Sequence, residues 1–243
     1  MKYEHIQLAY FLERKNRFVA SCRLKESNEI VDVHVKNTGR GKEVLLPEAV
    51  VALNFLPSTK RKTAYDLIAV KKQNHWYNID SSAPNEVVFS ALLNQTIVLP
   101  GLNGNINLVK REVKYGQSRI DFYFETDKKE KGLIEVKGMT LENKRVGAFP
   151  DAPTARGLKH VRELIHAQEK GEHCYVVFIA QFANIDVATI HEKMQPELKD
   201  TADTAIKKGV QFLCYACHVN ATQLEITKEV PFDLKASFCD PLE

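Results

Sequence analysis

No apolar run in this 243-residue chain approaches the roughly 18–20 residues that a membrane-spanning helix needs. The N-terminal stretch MKYEHIQLAYFLERKNRF carries acids and bases throughout and lacks the clean apolar core of a signal peptide. The protein is therefore expected in the cytoplasm, with no membrane partner. Cysteine is scarce: there are five, an odd number, and Cys22, Cys174 and Cys239 stand far apart. A disulfide framework is not expected from that count and spacing. The Cys214-x-x-Cys217 pair has the spacing of a zinc ligand pair, but it lies in VQFLCYACHV, a strand-like run without a turn former. Residues i and i+3 of a strand point to opposite faces, so these thiols read as core residues. Internal repeats and low-complexity segments are absent. So is a large net charge: the balance is only +3, and charge alone names no partner.

The distribution of charge says more. Residues 1–80 hold 14 Lys+Arg against 9 Asp+Glu, and the remainder holds 20 against 22. A basic first third suits an anionic partner, and acids in the rest are available as metal ligands. The first third also reads as strands. RFVASCRL (17–24) and EIVDVHVK (29–36) flank a turn-like Lys25-Glu26-Ser27-Asn28, and VVALNFL, TAYDLIAVKK and HWYNID follow. In the second run Val31, Val33 and Val35 share one face. About five short strands without a long helix point to a small barrel, which removes exposed sheet edges. Ser81-Ser82-Ala83-Pro84 reads as a linker, giving domains 1–82 and 83–243.

Beyond the linker the expected order is helix (84–95), three strands (105–115, 118–126, 132–138), helix (153–171), strand (174–182), helix (197–209) and strand. Leu158, Val161, Leu164 and Ile165 form the apolar stripe of the second helix, and Gly171 stops it. Strands joined through helices need crossovers, so part of this sheet is expected to be parallel.

The stretch IEVKG (134–138) sets Glu135 and Lys137 on one face of a strand and Ile134 and Val136 on the other. On the preceding strand Asp121 and Tyr123 oppose Ile120, Phe122 and Phe124. If the polar DKKEKG segment closes a hairpin, Asp121 lies beside Glu135, since neighbouring strands are about 4.8 Å apart. Two carboxylates suit a hard cation, Mg²⁺ or Mn²⁺. Such an ion polarises a phosphoryl oxygen and acidifies a bound water, with Lys137 placed to support the developing charge. Asp…Glu-x-Lys on adjacent strands, within this helix and strand order, resembles the PD-(D/E)XK nuclease superfamily. Arg156 and His160, four apart on one helix face, are placed to meet a phosphate or an attacking water. Pairing of Arg156 with Asp151 or Glu163 is the competing role.

A closer resemblance is carried by FPDAPTARGLKHVREL (149–164), SRIDF (118–122) and EVKGMTL (135–141). Arg14-Lys15-Asn16-Arg17-Phe18, Asn37-Thr38-Gly39-Arg40 and Thr59-Lys60-Arg61-Lys62 add to it. Together they look like the sugar fermentation stimulation protein family, over nearly the full chain up to about Leu234. One departure is Pro47-Glu48 where Pro-Gly is expected, a change of turn rather than of chemistry. The resemblance implies a two-domain α+β/α/β chain: an N-terminal OB-fold β-barrel followed by a PD-(D/E)XK-like mixed-sheet α/β domain, with DNA rather than RNA as partner. It makes Asp121 and Glu135 the metal ligands and Lys137 their catalytic partner, with Glu112 a further candidate acid or, alternatively, a surface carboxylate. Arg14, Arg17, Lys60, Arg61 and Lys62 become phosphate contacts alongside Arg156 and His160. Phe18, Tyr65 and Trp76 are candidate stacking platforms, with the barrel core the stronger expectation for Phe18 and Tyr65. His5, His34 and His218 read as structural or surface residues. With no base-reading helix, binding is expected to ignore sequence and to weaken with salt. Two functions follow: a Mg²⁺- or Mn²⁺-dependent nuclease, favoured by the complete triad, or a non-catalytic, sequence-nonspecific DNA-binding regulator of sugar-utilisation genes with a vestigial nuclease fold. The oligomeric state stays open, and a homo-oligomer is allowed.

Overall fold

The computed structural model describes every residue except 38, 40 and 243, so Thr38 and Arg40 of the Asn37–Arg40 motif lie outside the described residues. The first strands are β1 (Ile6–Arg14), β2 (Val19–Leu24), β3 (Ile30–Val35), β4 (Val50–Phe55), β5 (Tyr65–Lys72) and β6 (His75–Asn78). They pair in the order β3-β2-β1-β4-β5-β6, and a parallel pairing of β3 with β5 closes the barrel. The alternation in β3 works as expected: Val33 and Val35 are buried with Val31 packed beside them, while Asp32 is exposed. The structure adds β1, which sequence patterning misses. Small Ala9 and Phe11 point inward while Leu8 is exposed, and a bulge between Phe11 and Glu13 breaks the period. Glu48, standing where glycine was expected, adopts a left-handed φ of +64° and pairs with Arg23 at 2.7 Å.

The second half runs α1 (Ala83–Leu93), β7 (Ile106–Tyr115), β8 (Ser118–Thr126), β9 (Lys131–Met139), β10 (Leu141–Asn143), β11 (Val146–Phe149), α2 (Ala155–Glu169), β12 (His173–Ala180), β13 (Val187–Ile190), α3 (Pro196–Lys207), β14 (Gln211–Asn220) and β15 (Gln223–Val230). The main sheet has the order β15-β14-β12-β9-β8-β7. Its centre, β9, β12 and β14, is parallel, because α2 and α3 carry the chain back between strands. A three-stranded sheet β10-β11-β13 flanks it. Helix α1 covers one face over Phe122, Phe124, Ile134 and Val136, and α2 and α3 cover the other over Ile120, Leu133 and Val176. Cys214 and Cys217 are both buried and join the opposite faces' cores. The architecture is the expected one, a closed barrel followed by a mixed-sheet α/β domain.

The two halves share a core. The Tyr77 and Phe182 rings lie 5.2 Å apart. Beside them, the Gln181 side-chain amide donates to Asn78 Oδ1 at 2.8 Å and to the Asp80 carbonyl at 3.1 Å. Asn78 donates to the Tyr3 hydroxyl, which reaches Asp80 Oδ2. Lys36 Nζ donates to the same carboxylate oxygen at 2.7 Å. No described helix is long and apolar enough to cross a membrane.

Candidate active site

The antiparallel ladder between β8 and β9 pairs Phe122 with Ile134, which puts Asp121 next to Glu135. At that point the backbone bonding gives way to a side chain: the Val136 N–H donates to Asp121 Oδ2 at 2.8 Å. Asp121 Oδ1 accepts from the Asn85 side chain on α1 at 2.9 Å. The strand turns here, so Ile120 packs under α2 rather than on the face of Phe122 and Phe124. That corrects the simple alternation expected for β8. Across the other edge, the β7–β8 register runs Arg111 to Phe122 and Val113 to Ile120, so Glu112 stands opposite Asp121. It is exposed, with φ of +53°, and no hydrogen bond to the described residues draws it into the centre.

Glu135 is 1% exposed and Asp121 7%. Glu135 Oε1 accepts from both Lys137 Nζ and His160 Nδ1, while Oε2 is buried with no hydrogen-bond partner. Burial works to raise the Glu135 pKa, but Lys137 and His160 outweigh it and hold this carboxyl below its ordinary value. Asp121 goes the other way. Burial first, then the Glu135 charge, push it above the ordinary carboxyl value, and the Val136 N–H, Lys137 and Asn85 only partly offset this. The two carboxyls of the centre are thus shifted in opposite directions.

Helix α2 delivers His160. Thr154 caps it, its hydroxyl accepting from the Gly157 N–H at 3.0 Å, and His160 falls on the buried face with Leu158, Val161 and Leu164. The histidine donates to Glu135 through Nδ1, leaving Nε2 to accept a long 3.5 Å contact from exposed Arg156. The structure thus brings Asp121, Glu135, Lys137, His160 and Arg156 together and leaves Glu112 outside. It also adds Asn85, which carries no spacing signal because its partner lies 36 residues further on.

The chemistry of the donor set suits a hard divalent ion. Two carboxylates converge, and a buried anionic oxygen lacks the partner that such groups ordinarily have. Among the described residues no group of three or more Asp, Glu, His or Cys side chains is arranged to hold a metal, so water or backbone oxygens would complete the shell.

On the barrel, the basic residues divide. Arg14 donates to the carbonyls of Gly39, Arg17 and Asn37, tying loops together. Arg61 pairs with buried Asp66. Lys60, Lys62 and Arg17 are exposed and make no ion pair with the described residues. Tyr65 packs against Phe55 and bonds Gln7, and Trp76 packs half-buried between the two halves. Phe18 departs from expectation: it is 52% exposed.

Residues 12–79 match the model of the SfsA N-terminal OB domain, and residues 82–223 match that of the sugar fermentation stimulation protein RE domain. A sugar fermentation stimulation protein homolog of Enterococcus mundtii is 55% identical over 241 residues, covering 99% of both chains. One from Ruminiclostridium cellulolyticum is 42% identical over 95% of this chain and 98% of its own. Among solved structures, SfsA of Pyrococcus furiosus, in complex with Ca²⁺, superposes with a TM-score of 0.85. It is 26% identical, covering 96% of this chain and 98% of that one.

Proposed function

The chain belongs to the sugar fermentation stimulation protein family, and from that premise we propose that it is a DNA-binding, divalent-metal-dependent nuclease. In this reading residues 1–82 form the binding barrel and 83–243 the hydrolytic domain. The observation that carries it is the buried, unpartnered Oε2 of Glu135, set beside Asp121 and Lys137. Asp121 and Glu135 would hold Mg²⁺ or Mn²⁺, and the Ca²⁺ of the Pyrococcus relative agrees with a hard-cation site. The ion supplies a polarised phosphoryl oxygen and an acidified water when bound. His160 and Lys137 fix the Glu135 carboxylate from one side, so its other oxygen keeps one direction. Asn85 and the Val136 N–H do the same for Asp121. Lys137 Nζ stands ready to stabilise charge on the phosphate, and Arg156 offers a guanidinium at the rim for a flanking phosphate.

A second reading keeps the binding and drops the chemistry: a sequence-nonspecific DNA-binding regulator with a vestigial nuclease fold. The absence of a three-ligand group among the described residues favours it. One experiment separates the two: a Mn²⁺ and Mg²⁺ cleavage screen over single-stranded, duplex and flap DNA and over RNA. Cleavage that EDTA stops supports the nuclease. Tight binding with no cleavage of any substrate leaves the regulator.

A further inference from the structure

The barrel carries a groove that the chemistry above does not use. Phe18 and Val19 line one part of it, with His34, Lys36, Arg61 and Lys62 around them, and its open volume is about 430 Å³. That volume falls in the range of small-ligand sites. Phe18 is the one exposed Phe, Tyr or Trp ring among the described residues. The Arg17 guanidinium lies over the Phe18 ring, 5.8 Å from its centroid. The groove's one carboxylate, Asp66, is already matched by Arg61 and by the His34 ring at 3.1 Å. An aromatic and aliphatic wall with a cationic rim complements a flat π-surface carried on an anionic backbone. A purely apolar peptide segment would leave Arg17 and Lys62, which make no ion pair with the described residues, unmatched.

The groove also has a direction. Lys36 on its wall donates to Ser82 Oγ at 2.9 Å. Ser82 immediately precedes α1, and Asn85, one helical turn on, holds Asp121. The groove and the carboxylate centre thus lie at two ends of a short bridge of bonded residues.

We propose that this groove receives one unpaired nucleotide. Its base stacks on Phe18, and its flanking phosphates meet Arg17 and Lys62. The strand presented to Asp121 and Glu135 is then single-stranded or locally melted. The proposal rests on the reading of the barrel as the nucleic-acid-binding half and extends it to a substrate class.

The test uses the full chain without divalent metal. Binding of a labelled DNA strand of about 12 nucleotides, within the site size of an OB fold, is compared with binding of the blunt duplex. Phe18→Ala is expected to weaken single-strand binding about 5- to 150-fold and duplex binding less than about twofold, with an unchanged Tm because the ring is exposed. Phe18→Trp restores the affinity. A single abasic nucleotide, scanned along the strand, reproduces the loss in the parent protein at one position and adds nothing in Phe18→Ala. Equal losses on both substrates, or none on either, overturn the proposal. Cleavage is scored separately with Mn²⁺. A Phe18-dependent single-strand preference without cleavage keeps the groove and removes the nuclease. Cleavage indifferent to Phe18→Ala on every substrate keeps the nuclease and removes the groove.

Discussion

At the scale of single residues, the two oxygens of Glu135 do different work. One is held by Lys137 and His160 and the other has no partner. Removing the ammonium should therefore spare binding and abolish chemistry. Lys137→Ala is expected to lower Mn²⁺-dependent cleavage by about 10²–10³-fold, the size of loss seen when one transition-state donor is deleted, with DNA affinity within about threefold, since phosphate contacts elsewhere supply it. Single-turnover cleavage and anisotropy measured on the same preparation check this. A second residue-scale expectation concerns Glu48. Its left-handed backbone costs a non-glycine residue about 1–2 kcal/mol, while its exposed pair with Arg23 returns less than about 1 kcal/mol. Glu48→Gly should raise stability by about 0.5–1 kcal/mol, read as a higher urea midpoint at constant m.

At the scale of elements, α2 positions the imidazole, and its start depends on Thr154. Thr154→Ala should cost about 1 kcal/mol and reduce cleavage as well, because Arg156 and His160 lie in the first two turns of α2. Urea unfolding and kcat measured side by side test both. Much of this level was legible in the sequence. The helical stripe of 153–171, the hairpin around DKKEKG and the parallel centre all follow from periodicity and connection length. What escaped were β1, with its small inward residue and bulge, the three- and four-residue strands β10, β11 and β13, and β15, a mostly exposed edge strand of polar sequence. The site was legible where period-two alternation governs, at Asp121, Glu135 and Lys137. It was not legible where partners meet only in three dimensions: Asn85 from α1, and His160 turned to the buried face, where it holds a carboxylate. Phe18 defied the expectation because it falls in the loop just before β2, outside the alternation that would have buried it.

At the scale of the molecule, remote segments converge on charges they would not bury alone. Glu43 is buried with Oε1 unpartnered. Burial, joined by Asp151 and Asp240, pushes its carboxyl up, against its own backbone N–H and Lys72. A raised folded pKa means that the native state binds the proton more tightly than the unfolded chain does. Stability is therefore lost as pH climbs through the folded value, and the penalty is absent once both states are protonated. Glu43→Gln should raise Tm by roughly 2–4 °C at pH 8, with the gain shrinking as pH falls toward the ordinary glutamate range; thermal melts across pH give the slope. The barrel surface makes its own prediction: Lys60→Ala and Lys62→Ala should each lower the salt slope of DNA binding by about one, read from affinities over a salt series. The shared network of Tyr3, Asn78, Asp80 and Gln181 has a further consequence for heredity. A substitution at Gln181 must be answered by the first eighty residues, so the two halves have to change in concert. A hybrid that joins the barrel of one relative to the sheet of a distant one should be selected against, unless these four side chains travel together.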